Sequence, residues 1–529
     1  MYDLLIRNGR VVDGTGAPAY PADVAVAGQE IVAIGKLEGE AAQTIDARGL
    51  VVCPGFVDLH THSDLSFLLD PTAQSKVRQG VTLELTGNCG FSFAAPIYGQ
   101  AVRMLEDRVA AYGVPFEPAW RDFAGYLDAL AQKGSTLNLA AQVGHGTVRA
   151  CVLGYDARAP SGEELERMQA LVAEALDAGA LGFSTGLFYA PGNYARLEEV
   201  IALAQVAADR GKLYSSHIRD EGDDSVGLFV ALNEAIEVGR RTGVRVEVSH
   251  VKCASPSTWG RAADVLELLE RARHEGINVC GDQYPYEAGS TLLTGALFPR
   301  WALEGGRQAT LARLQDAAQR GRVRAGIEDT FRRRDASRIL IATYAPQREY
   351  EGHTLEEVAR DLECAPAEAA LRLYERSDAM VIMFHLQEPD MDVIARAPFI
   401  AVGSDGSSLN TTGPLSVGKP HPRSYGTNPR FLARFVREKR LVGLEEAVRK
   451  MTLLPATHLG LTRRGRLAPG MYADIVVFDP ETVADTATFT DPHRFPVGVP
   501  HVVVNGTPVI RDGEVTGATP GRVVRGFGE

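Results

Sequence analysis

The sequence predicts an α/β chain: a (β/α)8 TIM-like barrel with a small β-sandwich built from both chain ends. Three observations carry this. The middle of the chain alternates β-branched runs with amphipathic helical runs of crossover length. Eight of the β runs have the spacing of one barrel. The two ends share one pattern: a β-branched run, Asn-Gly, a second run, then Asp-Gly.

At the N-terminus that pattern is Leu5-Ile6-Arg7-Asn8-Gly9-Arg10-Val11-Val12-Asp13-Gly14. It returns as Val503-Val504-Asn505-Gly506-Thr507-Pro508-Val509-Ile510-Arg511-Asp512-Gly513. Asn-Gly favours a two-residue hairpin, because both residues tolerate positive φ. Further short strands are expected at 23–27, 31–34 and 474–478. The ends, 1–54 and 462–529, form the sandwich, and 55–461 forms the barrel.

Within the barrel, Ser161-Gly162-Glu163-Glu164 has the capping-box pattern that opens a helix. Leu165, Met168, Leu171, Val172, Ala175 and Leu176 share one face, and Gly179 stops it. Helices near 195–210, 225–241 and 258–275 alternate with strands in the same way. The strands are expected at 56–62, 82–89, 137–145, 181–185, 212–217, 244–252, 277–286 and 399–405. Residues 290–378 are mostly helical and charged, and read as an insertion between strands seven and eight. A run at 380–385 does not fit the count and reads as an extra strand.

The chain has 529 residues, 45% hydrophobic and 23% charged, enough to bury a large core. Its net charge of -12 comes without a long basic run. Nucleic acid and acidic membrane surfaces are therefore poor partners. Arg332-Arg333-Arg334 is short and reads as a solvated helix face. No apolar stretch approaches the roughly 20 residues that span a bilayer. The opening Met-Tyr-Asp-Leu-Leu-Ile-Arg-Asn-Gly lacks the regions of a signal peptide, so a cytoplasmic location is expected. Six cysteines scattered from Cys53 to Cys364 read as thiols rather than a disulfide framework. A homo-oligomer is compatible with the sequence and not specified by it.

Function enters with His60-Thr61-His62, at the end of Val-Val-Cys-Pro-Gly-Phe-Val-Asp-Leu-His-Thr-His. Two imidazoles one residue apart on a strand point the same way. Alone, the pair is weak evidence for a metal. Cys89 ends strand two, His217 strand five, His250 strand six and Asp405 strand eight. All six lie at carboxyl ends, the face where barrel active sites are built. Taken singly, a strand-end His is most often a hydrogen-bonded core or loop residue. Cys89 alone is more often a buried hydrophobe, and Asp405 before Gly is commonly a turn. Together they form a borderline-soft ligand set that suits zinc, for one ion or two. His145 lies at the same face and is open between pocket lining and a structural role. His385 reads as structural, as do His274, His353, His458, His493 and His501.

This constellation resembles the amidohydrolase superfamily, and within it the D-aminoacylase (N-acyl-D-amino-acid deacylase) family. The likeness runs nearly end to end, to Gly-Arg-Leu-Ala-Pro-Gly-Met-Tyr-Ala-Asp-Ile-Val-Val-Phe (465–478). The specific marks are Gly-Asn-Cys-Gly-Phe-Ser (87–92), Gly-Phe-Ser-Thr-Gly-Leu-Phe-Tyr (182–189), Ser-His-Ile-Arg-Asp-Glu-Gly-Asp (216–223), Asp-Gln-Tyr-Pro-Tyr (282–286) and His-Pro-Arg (421–423). The resemblance implies a tight zinc site on Cys89, His217 and His250. It implies a second, weaker site on His60, His62, Cys89 and Asp405. It also implies a substrate carboxylate held by Lys252, Tyr284 or Tyr286, Ser290 and Arg423, with Tyr189 in the pocket. The stretch 407–419 is longer than in the best-known members, which leaves the reach of Arg423 open.

The implied reaction is hydrolysis of an N-acyl amino acid. Zinc lowers the pKa of water from 15.7 to about 7, and Asp405 is the expected proton carrier. A cyclic-amide hydrolase, of the hydantoinase or dihydroorotase kind, is the alternative within the superfamily. Such enzymes usually carry a bridging lysine on strand four, where this chain reads Leu-Gly-Phe-Ser-Thr-Gly. A non-catalytic barrel scaffold is the alternative of another class. All six expected ligands are present, which argues against it.

Overall fold

Parallel strands covered on both faces form the centre of the molecule. The structure, a computed structural model, describes residues 1–526 and 528. Eight strands pair in chain order: Phe56–Asp58, Val81–Thr86, Asn138–Gly144, Gly182–Gly186, Leu213–His217, Arg245–Val248, Val279–Gln283 and Ile400–Val402. These are the expected eight, and strands one and eight stand at the two ends of the sheet. A single parallel bridge, Thr61 to Gly406, draws them together. Beside it Asp405 N donates to His60 O (2.9 Å) and His62 N to Gly406 O (2.8 Å).

Burial on both faces explains why the strands are apolar runs rather than alternating ones. Val57, Leu59, Leu83, Leu85, Ala140 and Ala401 line one apolar cluster, closed from below by Leu459 and Val524. Phe56, Val81, Val143, Phe183, Val246 and Ile400 face the surrounding helices instead. The helix Gly162–Ala178 has the expected capping box, Ser161 with Glu164, and ends at Gly179. It buries Met168, Val172, Ala175 and Leu176.

The chain ends build one continuous mixed sheet of nine strands. Val51–Pro54, from the N-terminal part, pairs antiparallel with Ile475–Phe478, from the C-terminal part. Leu4, Ile6, Val24, Val26, Val52, Ile475 and Val503 share its apolar cluster. The Asn505-Gly506 hairpin forms as expected, with Val504 opposite Thr507. Asn8-Gly9 does not turn the chain. It is a bulge inside the single strand Tyr2–Val11. Asn8 takes φ 60°, and its N–H donates to Asp23 Oδ1 (2.9 Å). The same positive φ that closes a hairpin here absorbs one extra residue.

Between strands seven and eight lies a unit with its own core, including Leu297, Phe298, Val323, Ile341, Leu371 and Tyr374. The extra strand belongs to it. Met380–Phe384 is the centre of a three-stranded antiparallel sheet, between Ala288–Leu292 and Ile339–Thr343. Arg334 is not a solvated residue. It is mostly buried, donates to Ala296 O (2.7 Å) and pairs with Asp224 on a barrel loop. Among the described residues no helix is long and apolar enough to cross a membrane.

The tail reaches the barrel floor by pairing with strand three: Val524 N donates to Leu139 O (2.7 Å). Val524→Asp is expected to cost about 3 kcal/mol or more, since it buries an unpaired carboxylate. Val230→Asp, at a 60% exposed site, is the neutral control. Urea midpoints of the two variants check this. Equal midpoints would mean that the tail does not plug the barrel.

Candidate metal centre and carboxylate pocket

The structure gathers the six expected ligands into two overlapping groups. Donor atoms of His60, His62, Cys89 and Asp405 lie within 4.8 Å of one another, as do those of Cys89, His217 and His250. Cys89 Sγ is 3.3 Å from His60 Nε2 and 3.5 Å from His250 Nε2. Asp405 Oδ1 is 3.0 Å from His62 Nε2 and 3.5 Å from His60 Nε2. All are buried except His62, which is partly open.

The local backbone differs from the expected strands. Only His217 lies within one. Strands two, six and eight end at Thr86, Val248 and Val402, short of the expected ligand positions. Cys89, His250 and Asp405 take φ of 54°, 39° and 50°. The chain leaves the extended conformation to turn each donor inward, at about 1–3 kcal/mol per strained residue. Glycines permit the crowding. A Cβ on Gly186 would sit 1.9 Å from Cys89 O, and one on Gly90 would sit 2.4 Å from Gly186 N.

Burial would push the Cys89 thiol up, but His60 and His250 outweigh it and hold it well below the usual thiol range. The thiolate is the form of cysteine that binds metal. Burial likewise opposes the Asp405 charge, and Arg423 and His250 overcome it. His60 Nδ1 donates to Asp282 Oδ2 (2.9 Å), which turns its Nε2 lone pair toward Cys89. Burial and Asp282 keep the neighbouring Glu247 neutral, with its pKa well above the usual range. Glu221 Oε1 lies 2.9 Å from His250 Nδ1 and 2.5 Å from Lys252 Nζ.

The residues fit a metal. Both ring nitrogens of His217 are buried without a hydrogen-bond partner among the described residues. A buried imidazole with two unmet nitrogens is costly unless a ligand completes it. Its neighbours are a cysteine sulfur and a second imidazole, which is a donor set for zinc.

Beside the ligands stand two buried cations. Lys252 Nζ and Arg423 Cζ stand 5.7 and 4.9 Å from the centre of the Tyr284 ring. Arg423 reaches the site despite the long stretch before it, with Nη1 2.7 Å from Asp405 Oδ2. His421 helps to place it, accepting from Arg423 N (3.0 Å) through Nδ1. Arg423 Nη2 also approaches Ser290 O (3.4 Å). Tyr189 packs on the His217 ring at 4.8 Å, and its hydroxyl accepts from Thr291 (3.1 Å). Tyr286 turns elsewhere. Its ring packs on His421 and lies under Arg430, with its hydroxyl toward Asp485.

His145 is structural, buried with Nε2 2.9 Å from Glu199. His385 Nδ1 donates to Met383 O (2.8 Å), and burial lowers its pKa to about 3. Sequence reasoning missed Asp282, Glu247 and Glu221 as partners of the ligands. Asp282 and Glu221 lie inside the quoted motifs, which was the available signal. Glu247 carried none.

Comparison with known proteins bears on this geometry. The amidohydrolase family model matches residues 43–510. An N-acyl-D-glutamate deacylase of Alcaligenes xylosoxydans xylosoxydans is 39% identical, over 99% of this chain and 96% of its own. A D-aminoacylase of the same organism is 38% identical, over 99% and 97%. Among solved structures, the N-acyl-D-glutamate deacylase of Bordetella bronchiseptica, complexed with zinc and a phosphonate mimic of the tetrahedral intermediate, superposes with a TM-score of 0.83. It is 37% identical and is matched over 99% of this chain and all of its own. The chain belongs to the amidohydrolase family and, within it, to the metal-dependent D-aminoacylase (N-acyl-D-amino-acid deacylase) group.

Cys89→Ala is expected to lower bound zinc per chain, because both donor groups lose their shared sulfur. Elemental analysis of the purified variant checks this. Full metal content would remove Cys89 from the ligand set.

Proposed function

We propose that this chain is a zinc hydrolase that cleaves N-acyl-D-amino acids into a carboxylate and a free D-amino acid. The observation that carries the reading is the convergence of two buried cations, Lys252 and Arg423, on Tyr284 beside a cysteine–imidazole ligand set. A guanidinium and an ammonium beside one tyrosine ring suit a small carboxylate. The ligand set beside them suits amide hydrolysis, and both curated relatives carry the name of a D-amino-acid deacylase. The zinc of the Bordetella relative supports the choice of metal.

Cys89, His217 and His250 would hold the tighter ion. His60, His62, Cys89 and Asp405 would hold a second, weaker one. Zinc, when bound, supplies the Lewis acidity that makes water a nucleophile near neutral pH and polarises an acyl carbonyl. The remaining work falls to the side chains. Asp405 takes a proton from the attacking water and delivers it to the amide nitrogen as the C–N bond breaks. Arg423 and His250 favour its charged form. Arg423 and Lys252 bind the α-carboxylate, with Tyr284 beside both. Ser290 and Tyr189 line the same pocket. Burial of these groups strengthens every charge interaction by excluding water.

The decisive experiment is amine release from a panel of N-acetyl and longer N-acyl D- and L-amino acids, with metal analysis of the same sample. Release from the D forms by zinc-loaded protein is expected. Release from L forms alone, or from none, overturns the reading. Asp405→Asn should lower kcat by about 10²–10⁴-fold and leave the tighter zinc in place; near-wild-type kcat would exclude the proton-carrier role. Arg423→Ala should raise KM by about 10–100-fold, the value of a charge-assisted hydrogen bond. An unchanged KM would place the carboxylate elsewhere.

A further inference from the structure

One buried cation takes no part in either donor group. Lys76, on the short helix Gln74–Val77, is 0% exposed. Its Nζ lies 2.7 Å from Asp58 Oδ2 on strand one and 3.1 Å from Glu84 Oε1 on strand two. It also donates to Ser404 Oγ (2.6 Å), one residue before Asp405. Val57 and Leu59 lie in the barrel's inner cluster, so Asp58 between them faces outward, toward this helix.

The position matters because of the barrel's seam. Strands one and eight carry the His60/His62 pair and Asp405, and they close on one isolated bridge. Only two backbone bonds cross there, Asp405 N to His60 O and His62 N to Gly406 O. Side chains add to them. Asp58 Oδ1 accepts from Ser404 N (2.9 Å), while its Oδ2 holds Lys76. Ser404 Oγ accepts from Lys76 and from Gly406 N (3.0 Å), and donates to His60 O (3.3 Å). The strained Asp405 turn is thus clamped on both sides by one hydroxyl, and Lys76 holds that hydroxyl in place.

We infer that Lys76 and Ser404 are positioning residues that, with the backbone bond from Asp405 N to His60 O, hold Asp405 in place against His60 across the barrel seam. This rests on Asp405 being the proton carrier. Lys76 never reaches the substrate. It acts through Ser404, and a shift of about 1 Å in the catalytic carboxylate costs on the order of 10²-fold in rate. A merely structural ion pair would change stability and leave turnover per folded molecule alone.

The test compares Lys76→Met, Ser404→Ala and Ser404→Thr with wild type and Asp405→Asn, each in the zinc-loaded full chain. kcat, KM, zinc content and Tm are read for all. Lys76→Met and Ser404→Ala are expected to lower kcat by about 10–100-fold, with KM within about twofold and the tighter zinc retained. Ser404→Thr, which keeps the hydroxyl, should recover most of the rate. Combining Lys76→Met with Ser404→Ala should lower kcat no further than the worse single variant, as for one linkage. Lys76→Met strands Asp58 without a cation. Should it not fold, the Ser404 pair decides, because Ser404→Ala leaves Lys76 with Asp58 and Glu84. A lowered Tm with wild-type kcat in Ser404→Ala overturns the inference. If Asp405→Asn itself turns over normally, the failure lies with the proton-carrier assignment instead.

Discussion

A thiolate buried as deeply as Cys89, 4% exposed, is costly unless positive or polarised groups surround it. The mouth of the barrel is arranged around Cys89. His60 and His250 approach its sulfur from strands one and six, and His217 joins them from strand five. Each of the first two has a carboxylate behind it, Asp282 for His60 and Glu221 for His250. Those acids turn the rings and raise their basicity. Four imidazoles, a thiol and a carboxylate thus turn their donor atoms into one small buried volume, as a bound cation would need.

That demand explains the backbone. A parallel barrel delivers strand ends to one face, but strands point their side chains up or sideways as the pleat dictates. To face a common centre, Cys89, His250 and Asp405 each adopt a left-handed conformation. Such strain persists only where the surroundings over-determine it. The close packing of Gly90 and Gly186 against the Cys89 loop is one such constraint. The hydrogen bonds that draw Asp405 and Gly406 to His60 and His62 are another. The metal centre and the barrel closure are one construction.

The pocket wall is shared. Lys252 and Tyr284 follow barrel strands six and seven, and Arg423 begins the helix Arg423–Arg430, beyond strand eight. Ser290 and Thr291 come from the first strand of the inserted sheet. The insertion is tied to the mouth through Thr291 and Tyr189, and through Arg334 and Asp224. Trp259 adds a third tie, donating to His385 O (3.1 Å). The barrel mouth and the inserted unit are thus held together by polar contacts at their border.

The sequence by itself determined the eight strands, the helices between them and which six side chains would converge as candidate ligands. Hydrophobic runs and their spacing are local properties, and so are His-Thr-His and Gly-Asn-Cys-Gly. It also determined that Lys252 and Arg423 are cations in distinctive motifs. Tertiary structure decided the rest. The left-handed turns at Cys89, His250 and Asp405 leave no trace in residue type, since only glycine advertises positive φ. The same signal misled at Asn8-Gly9, where a bulge and a hairpin use one local conformation. The choice of Tyr284 over Tyr286 beside the cations depends on what packs around each ring, here Lys252 and Arg423 against Arg430 and Asp485. Asp282, Glu221 and Lys76 look like ordinary charged residues until the fold removes their water. A residue's chemical kind is written in the chain, but its pKa, partner and direction are set by neighbours far away in sequence.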